Sequence, residues 1–248
     1  MSSPIPPNWD LPAEFRERFG SRAGRQRVMH ASGHLLIVLH AVPNPDEPDV
    51  REGVLFWRKP DGTWRSTGSN STTIAPLRAH LESFDVVTDR LEEQVDRAKG
   101  ATDWFGVLHT AAPLMRTIRN LSKTLQEARE LAKGDRELIA MRDQAQELER
   151  TVELLHAHGR DGLDFTAAKN AEDSARASQH VSDAGHRLNL ITAMFLPITA
   201  LGSLLGINLV HGFERWHQPY TFWLVAIFAF AIGLAVRSTM PKPPPPSA

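Results

Sequence analysis

The residue types that could act on an ion or a polar ligand stand inside a long uncharged stretch near the carboxyl end of the chain. Residues 188–210 contain no Asp, Glu, Lys or Arg. A helix over residues 190–210 would be roughly 31 Å long, enough to cross a hydrocarbon core of about 30 Å. Polar groups in such a span are costly in lipid, so we expect them to face neighbouring copies of the chain. They are Asn189, Thr192, Thr199, Ser203 and Asn208.

No set of residues in the sequence predicts covalent chemistry. The sequence has no glycine-rich phosphate loop, no dinucleotide fingerprint and no HExxH motif. His156 and His158 are one residue apart near a predicted helix end, so they point in different directions and a metal would need further ligands. Asp46, Glu47 and Asp49 could bind a hard cation, although a solvated turn is the simpler interpretation. We therefore predict that the protein is not an enzyme and has no catalytic cofactor.

The average composition hides the membrane-like stretch. A hydrophobic fraction of 42%, a net charge of -1 and a mean hydropathy of -0.29 are typical of a soluble protein. Without the uncharged stretch, the remaining chain is strongly polar and is expected in water. The sequence contains no cysteine, which excludes disulfides, thiolate metal sites and thiol catalysis. We predict no nucleic-acid partner.

A second uncharged run, residues 219–236, predicts a helix of roughly 27 Å that can span the bilayer if aromatic residues anchor it. The predicted hairpin has a first span at 188–210, an external loop at 211–218 and a second span at 219–237. A Pro-rich cytosolic tail follows at 238–248. The aromatic anchors are Trp216, Tyr220 and Trp223.

The charged flanks predict a multi-pass protein of the cell (inner or plasma) membrane with both termini in the cytosol. Arg187 precedes the first span, Arg237 and Lys242 follow the second, and cytosolic flanks carry an excess of such residues. The first residues lack the basic and apolar regions of a signal peptide. We therefore expect the amino terminus to stay in the cytosol.

The amino-terminal part predicts a short irregular segment and then a small sheet. Residues 1–24 contain several prolines, which predicts an irregular lead with one turn of helix near residues 13–19 and little other order. The region 25–72 has short apolar runs bounded by turn residues, which predicts a cytosolic antiparallel sheet. The predicted strands are residues 34–40, 53–57 and 64–66.

In the region 73–187, the spacing of apolar residues becomes that of a helix. Apolar residues recur at steps of three and four, and glycines follow the first two runs. This predicts helices at residues 74–99, 103–133 and 135–157, and a fourth helix that begins near residue 164 and continues as one rod into the first span. The predicted fold is α+β and mostly α, with a small amino-terminal sheet, helical hairpins and one long stalk helix.

The predicted stalk carries a strip of small and weakly polar residues at helical spacing. Small side chains would let copies of the helix surround a water-filled path. The solvent-exposed face of an Ala-rich helix would have the same pattern, and both interpretations stay open. The strip consists of Asp164, Ala168, Ala171, Ala175, Ser178, Ser182, Gly185 and Asn189.

Two short motifs stand at a fixed distance in the hairpin. Phe195-Leu196-Pro197-Ile198-Thr199 is followed by Gly206-Ile207-Asn208, with a step of nine residues from Pro197 to Gly206. In order and spacing, these motifs resemble the CorA family of divalent-cation channels, whose members have a Pro-Leu-Thr-like element, a Gly-Met-Asn tripeptide and then a second span. Pro219-Tyr220-Thr221-Phe222 resembles the start of that second span. The similarity covers residues 164–238, and the amino-terminal part matches only in outline.

This resemblance implies a homopentamer in the lipid bilayer that conducts hydrated divalent cations, with Mg²⁺ as the preferred ion. Asn208 would face the pore mouth and bond to the waters of an incoming cation. Thr199 would form the next polar ring, Leu196 a narrowing, and Leu188 a hydrophobic constriction that gates by dewetting.

Further roles are implied for residues near the pore. Gly206 would permit a tight turn after the helix, and Glu214 in the external loop would attract cations. Ile207 replaces the methionine of the family, a change that bears on ion selectivity. Asp164 and Asp173 are the acidic candidates for regulatory Mg²⁺ or other divalent-cation sites between subunits.

Departures from the family keep other functions open. The part before the first span, residues 1–187, is shorter than in typical bacterial members, and the tail has two basic residues where many members carry a lysine cluster. The same features would fit a membrane effector in which a helical sensor receives a small-molecule messenger or a partner signal and perturbs membrane permeability. A non-conducting membrane anchor is the third alternative.

Overall fold

The computed structural model describes residues 4–20, 23–47, 50–205 and 219–239. In these residues, short strands lie near the amino terminus and helices make up most of the remainder. This confirms the predicted fold class, a small antiparallel sheet followed by helices of which one is long. The chain divides into two compact units, Met1–Ala168 and Lys169–Ala248.

The sheet is an antiparallel meander in the order β1-β2-β3-β4. The three predicted strands are confirmed, and β1 is an addition that the sequence did not predict because polar residues interrupt its apolar pattern. A turn at Ser32 and Gly33 joins β1 to β2, with φ of 51° and 78°. Positive φ at both turn residues matches the twist of paired strands, and glycine adopts it freely. The strands are β1 Arg27–Ala31, β2 His34–His40, β3 Gly53–Arg58 and β4 Trp64–Ser66.

Both faces of strand β2 are covered by apolar side chains. Leu35, Ile37 and Leu39 join a core formed with the helices. Leu36 and Val38 point to the other face and join the amino-terminal segment. A strand buried on both sides has a continuous apolar run instead of an alternating one, which is why this strand was recognisable in the sequence.

The amino-terminal lead is packed against the sheet, so the expectation of little order there was wrong. Trp9 lies against Trp57 of β3, with ring centroids 5.6 Å apart. Phe15, in the short helix α1 (Ala13–Glu17), is 2% exposed. Burial of each such side chain contributes roughly 1.5–3 kcal/mol, which outweighs the local preference of proline for irregular structure. The predicted helical turn near residues 13–19 is confirmed.

Three further helices contribute to the core on the sheet face that carries Leu35. They are α2 (Ala75–Arg97), α3 (Ala101–Leu131) and α4 (Arg136–Leu205). Of these, α3 packs directly on β1 and β2. Nearly all apolar positions expected from the three- and four-residue spacing are buried in one core. Leu131 is the main exception, because it lies at the end of α3 and is 46% exposed.

Helix α4 is one element of 70 residues, so the break predicted after residue 157 was wrong. The third and fourth predicted helices are parts of the same helix, because Gly159 and Gly162 lie against α3 instead of forming a turn. A Cβ at Gly162 would stand 2.4 Å from the ring of Trp104, and one at Gly159 would stand 3.0 Å from Val107. The two glycines allow this close approach at a cost of roughly 1 kcal/mol each in helix propensity.

Asp135 joins the start of α4 to the sheet. Its Oδ1 accepts the backbone N–H groups of Glu137 and Leu138 at 3.1 and 3.3 Å, which caps the helix. Its Oδ2 accepts the Nε–H of Arg58 at 2.9 Å, and the Arg58 and Asp135 side chains are only 25% and 13% exposed. A charge-assisted bond with this little exposure is stronger than an ordinary surface ion pair.

We expect Asp135→Ala to lower the free energy of unfolding by about 2–3 kcal/mol, because it removes a helix cap and a partly buried charged hydrogen bond. Urea unfolding of the full chain in detergent, followed by circular dichroism, measures the change. Glu93→Ala is the matched control, since it removes an exposed pair with Arg97 and should cost at most about 0.5 kcal/mol. Equal losses in the two variants would contradict the role of Asp135.

His80 of α2 is enclosed by aromatic rings. Its ring centroid lies 5.4 Å from that of Phe56 and 5.4 Å from that of Phe84. Its Nε2 is buried and has no hydrogen-bond partner in the described part of the chain. Burial disfavours the charged imidazolium and lowers the pKa of His80 to about 4, against the smaller opposing effect of a hydrogen bond to the His40 backbone.

This low pKa makes the fold sensitive to acid. The unfolded chain binds a proton at His80 near pH 6.5, whereas the folded chain does so only near pH 4. The neutral ring of His80 therefore makes its full contribution to the free energy of unfolding above pH 6.5, and this contribution is lost as the pH falls towards 4. We expect His80→Phe to reduce this acid-induced loss by about 2–3 kcal/mol. Thermal unfolding at several pH values tests this, and an unchanged dependence on pH in the variant would refute it.

Candidate functional site

Helix α4 presents a row of exposed residues in the second unit. Leu188 and Leu196 are 64% and 63% exposed, and Thr192 and Thr199 are exposed as well. At 3.6 residues per turn, these four side chains fall within about 80° of one another around the helix axis. We call them the α4 row (Leu188, Thr192, Leu196, Thr199). These four residues, all singled out in the sequence, therefore share one face.

The other side of α4 contacts helix α5 (Pro219–Thr239). The closest approach is at Gly233, where a Cβ would stand 3.0 Å from the carbonyl oxygen of Met194 and 3.3 Å from its Cα. In the part of α4 that follows Leu188, the less exposed residues lie within about 100° of one another around the helix axis. They are centred roughly opposite the α4 row. They are Leu190, Ala193, Met194, Pro197 and Leu201.

Ala229 and Gly233 support this arrangement, and the sequence reasoning missed them. Ala229 is 2% exposed, and it stands one turn before Gly233 on α5. Small residues four positions apart allow close packing of membrane helices, so the Ala-xxx-Gly spacing was the available signal. Their contact with α4 leaves the α4 row facing away from α5.

The threonines of the α4 row have hydrogen-bond partners inside the helix. Thr192 Oγ1 donates to the Leu188 carbonyl at 3.0 Å, and Thr199 Oγ1 donates to the Phe195 carbonyl at 2.9 Å. Such bonds make threonine tolerable in an apolar environment, so the threonines alone do not require a neighbouring copy, and that they face one stays a prediction. The exposed amide of Asn189 does need one in lipid, because it has no hydrogen-bond partner within the described ranges.

A shallow open depression of about 560 Å³ follows the α4 row. Its lining mixes apolar side chains with the hydroxyl groups of Thr192, Thr199 and Ser203. A second depression of about 400 Å³ lies nearer the start of the helix and is lined in part by Asp183 and Arg187. This face of α4 is therefore charged before Leu188 and uncharged after it.

The exposed apolar face of α4 requires cover. Among the described residues, α4 is the one helix long and apolar enough to cross a membrane, and its best window has a mean hydropathy of 1.3 with 0% of it buried. The apolar segment Trp223–Ala235 of α5 is shorter than a span. Leaving a Leu or Phe side chain in water forgoes roughly 1.5–3 kcal/mol, so lipid or further protein must cover this face.

The tripeptide and the loop acid lie outside the described residues. These positions are Gly206, Ile207, Asn208 and Glu214. Their roles therefore stay predictions.

The predicted regulatory acids are not brought together in one chain. Asp164 and Asp173 are nine residues apart on α4, which places them about 180° apart around the axis. Asp173 Oδ1 also lies 4.0 Å from Arg176 Nη1. Within the described residues, which include His156 and His158, no group of three or more His, Asp or Glu side chains could hold a metal ion. Asp49 of the predicted acidic cluster lies outside those residues, so the prediction of a cation site there stays a prediction.

Comparison with known proteins gives similarity to solved structures only. No family model and no curated protein matches the chain. The structure of the full-length CmaX protein is similar over 86% of this chain and 77% of its own, with 17% identity and a TM-score of 0.48. The CorA magnesium transporter of Methanocaldococcus jannaschii is similar over 87% of this chain and 78% of its own, with 14% identity and a TM-score of 0.41.

We expect Gly233→Ala to destabilise the second unit, because its new Cβ meets backbone atoms of Met194 that cannot move aside. Gly202→Ala is the matched control, since a Cβ there meets nothing within 4 Å and alanine favours the helix. Thermal unfolding of the full chain in detergent should separate the two variants by about 1–2 kcal/mol. A control that loses as much as Gly233→Ala would contradict the packing of α5 on α4.

Proposed function

We propose that the protein forms an oligomeric membrane pore for hydrated divalent cations, with Mg²⁺ as the preferred ion. The α4 row carries this proposal, because it is uncharged, exposed and opposite the α5 contact, on a helix apolar enough to cross a membrane. In sequence, the row leads to Gly206-Ile207-Asn208, and the resemblance of this tripeptide to that of CorA channels adds support.

A pore requires several copies, since one α4–α5 pair encloses no lumen. Copies arranged with their α4 rows towards a common axis would cover Leu188 and Leu196 and leave α5 towards lipid. The same arrangement would give the amide of Asn189 a polar neighbour or water. We propose five copies on the basis of the family resemblance.

The chemistry of Thr199 suits a cation that keeps its water. Its hydroxyl proton is donated to the Phe195 carbonyl, so the oxygen presents lone pairs that accept hydrogen bonds from the water shell of a cation. Mg²⁺ dehydrates reluctantly, and a ring of acceptors binds it through that shell. Thr192 has the same bond and lies about 10 Å along the axis, so it supplies a further ring. Asn208 would form the last ring, at the mouth.

Leu188 and Leu196 would be the apolar narrowings of this pore. A constriction lined by leucine can close by expelling water, without a steric plug. The charged residues Asp183 and Arg187 come just before Leu188, on the side that we propose is cytosolic. With α5 as the second span, both termini would lie in the cytosol of a cell whose inner or plasma membrane holds the protein.

The remaining residues have supporting roles in this proposal. Gly206 would turn the chain after α4, Ile207 would modify selectivity, and Glu214 would raise the local cation concentration. Because Asp164 and Asp173 lie on opposite sides of α4, they could meet only between neighbouring copies. A regulatory cation bound there would bridge two subunits.

Flux through liposomes tests the function. Purified protein is reconstituted with a magnesium indicator inside the vesicles, and external Mg²⁺ is added with and without a hexammine complex that has the size and donors of hydrated magnesium. We expect uptake that the hexammine complex blocks and that Asn208→Ala reduces. Absence of uptake by the wild-type protein, or uptake unaffected by Asn208→Ala, would reject the pore.

We expect Thr199→Val to reduce Mg²⁺ flux at least about fivefold, because it keeps the shape of the side chain and removes one ring of acceptors. Thr166→Val is the matched control on the same helix, where Thr166 Oγ1 makes the same bond to the Gly162 carbonyl at 2.8 Å but belongs to the first unit. Initial rates at equal protein per vesicle give the comparison. Equal rates in the two variants would remove Thr199 from the pathway.

A further inference from the structure

A polar cleft lies in the first unit, between the segment that follows β2 and the middle of α3. It has a volume of about 220 Å³ and is partly enclosed. Residues from 40–47 and 50–52 line one side, and residues from 113–120 line the other. Its volume is below the roughly 300–1,000 Å³ of pockets for drug-sized ligands, so it suits a small metabolite.

The walls of the cleft are held by hydrogen bonds to the rest of the unit. His40 Nε2 bonds to the Gly24 carbonyl at 2.8 Å, and Ala41 N–H donates to the Glu52 carbonyl at 2.9 Å. Gln26 Nε2 donates to the Thr117 carbonyl of α3 at 2.9 Å. These bonds fix the two walls before any ligand arrives, which reduces the entropic cost of binding.

Among the described residues, four charged side chains line the cleft. Arg51 and Arg116 are cationic, and Glu47 and Glu52 are anionic. All four are exposed, and in the described part of the chain none of them belongs to an ion pair. The next arginine of α3, Arg119, bonds to Glu149 and Glu153, whereas the guanidinium of Arg116 has no such partner among the described residues.

Neutral polar groups accompany these charges. The amides of Asn44 and Asn120 lie in the lining. Beside Thr117, the Oε1 of Gln26 is buried and accepts no hydrogen bond from the described residues. His40 stays uncharged near neutral pH because burial, and to a smaller extent the charge of Arg51, lowers its pKa.

We infer that this cleft binds a zwitterionic metabolite of amino-acid size, with its carboxylate at Arg51 and Arg116 and its ammonium group at Glu47 and Glu52. Arginine binds carboxylate through paired N–H groups, and a carboxylate accepts the N–H groups of an ammonium ion. Two positive and two negative side chains cancel in charge, so a ligand with both signs uses all four. This ligand is independent of the ion proposed for the second unit.

Simple ions fit the cleft less well. A phosphate or a dicarboxylate would gain the two arginines and be repelled by the two glutamates. A divalent cation would be attracted by the two glutamates and repelled by the two arginines. The balance of charge therefore selects for a zwitterion over either ion.

Isothermal titration calorimetry of the full chain in detergent tests the inference with each common L-amino acid, inorganic phosphate and succinate as separate probes. We expect at least one amino acid to bind with a Kd below about 1 mM. Arg116→Gln should weaken that binding about tenfold or more, and Lys123→Gln, an exposed cation on the same helix outside the cleft, should leave it unchanged. Unliganded thermal unfolding confirms that each variant is folded.

Glu52→Gln separates a zwitterion from an anion. The inference requires this variant to weaken amino-acid binding, since it removes an acceptor of the ammonium group. If binding instead tightens, or if phosphate or succinate binds as strongly as the best amino acid, the site recognises an anion and the inference is wrong. It is also wrong if no amino acid produces heat at about 10 mM, or if Arg116→Gln and Lys123→Gln behave alike.

Discussion

The structure depends on one helix that must satisfy two different surroundings. At its start, α4 buries Leu138, Met141 and Leu148 in the core of the first unit. In its last part, Leu188 and Leu196 have no cover within the described residues. The hydrophobic effect acts equally on both sets, so the second set requires cover that the described residues do not supply. Between them, the ion pair of Arg176 with Glu172 stabilises an exposed stretch of the helix from within.

The first unit is built so that polar groups collect at its edge. Two apolar clusters cover the faces of the sheet and leave little room for buried charge. His80 is the exception, and it is kept neutral by its aromatic neighbours. Within the described residues, charged side chains therefore lie mostly on exposed surfaces, where some form ion pairs, and Arg51 and Arg116 line the cleft beside α3 without one. Unsatisfied charge in a fixed cleft is a feature that ligand binding explains more directly than stability does.

Much of this architecture could be predicted from the sequence, and the misses have physical causes. The three- and four-residue spacing of apolar side chains located α2, α3 and the start of α4, because those helices bury one face each. The sequence predicts a break after residue 157, because the packing of Gly159 against Val107 and of Gly162 against Trp104 depends on residues more than fifty positions away. The amino-terminal lead was underestimated for the same reason, because Trp9 is ordered by its contact with β3. At the site, the resemblance to CorA channels implied a shared pore face for Leu188, Leu196 and Thr199, and the helix geometry of α4 places these three residues on one face. The contact of Gly233 with Met194 could not be predicted from spacing, because it depends on where α5 lies against α4.

In the proposed pore, the α4 row faces water on a common axis while the opposite side of α4 faces α5. The chain contains no cysteine, so single substitutions such as Leu196→Cys, Thr192→Cys, Leu190→Cys and Met194→Cys can be probed without background. In liposomes that conduct Mg²⁺, a charged thiol reagent should react rapidly with the first two variants and block their flux, while the last two stay unreactive. Block of all four to the same extent, or reaction confined to Leu190→Cys and Met194→Cys, would contradict the account.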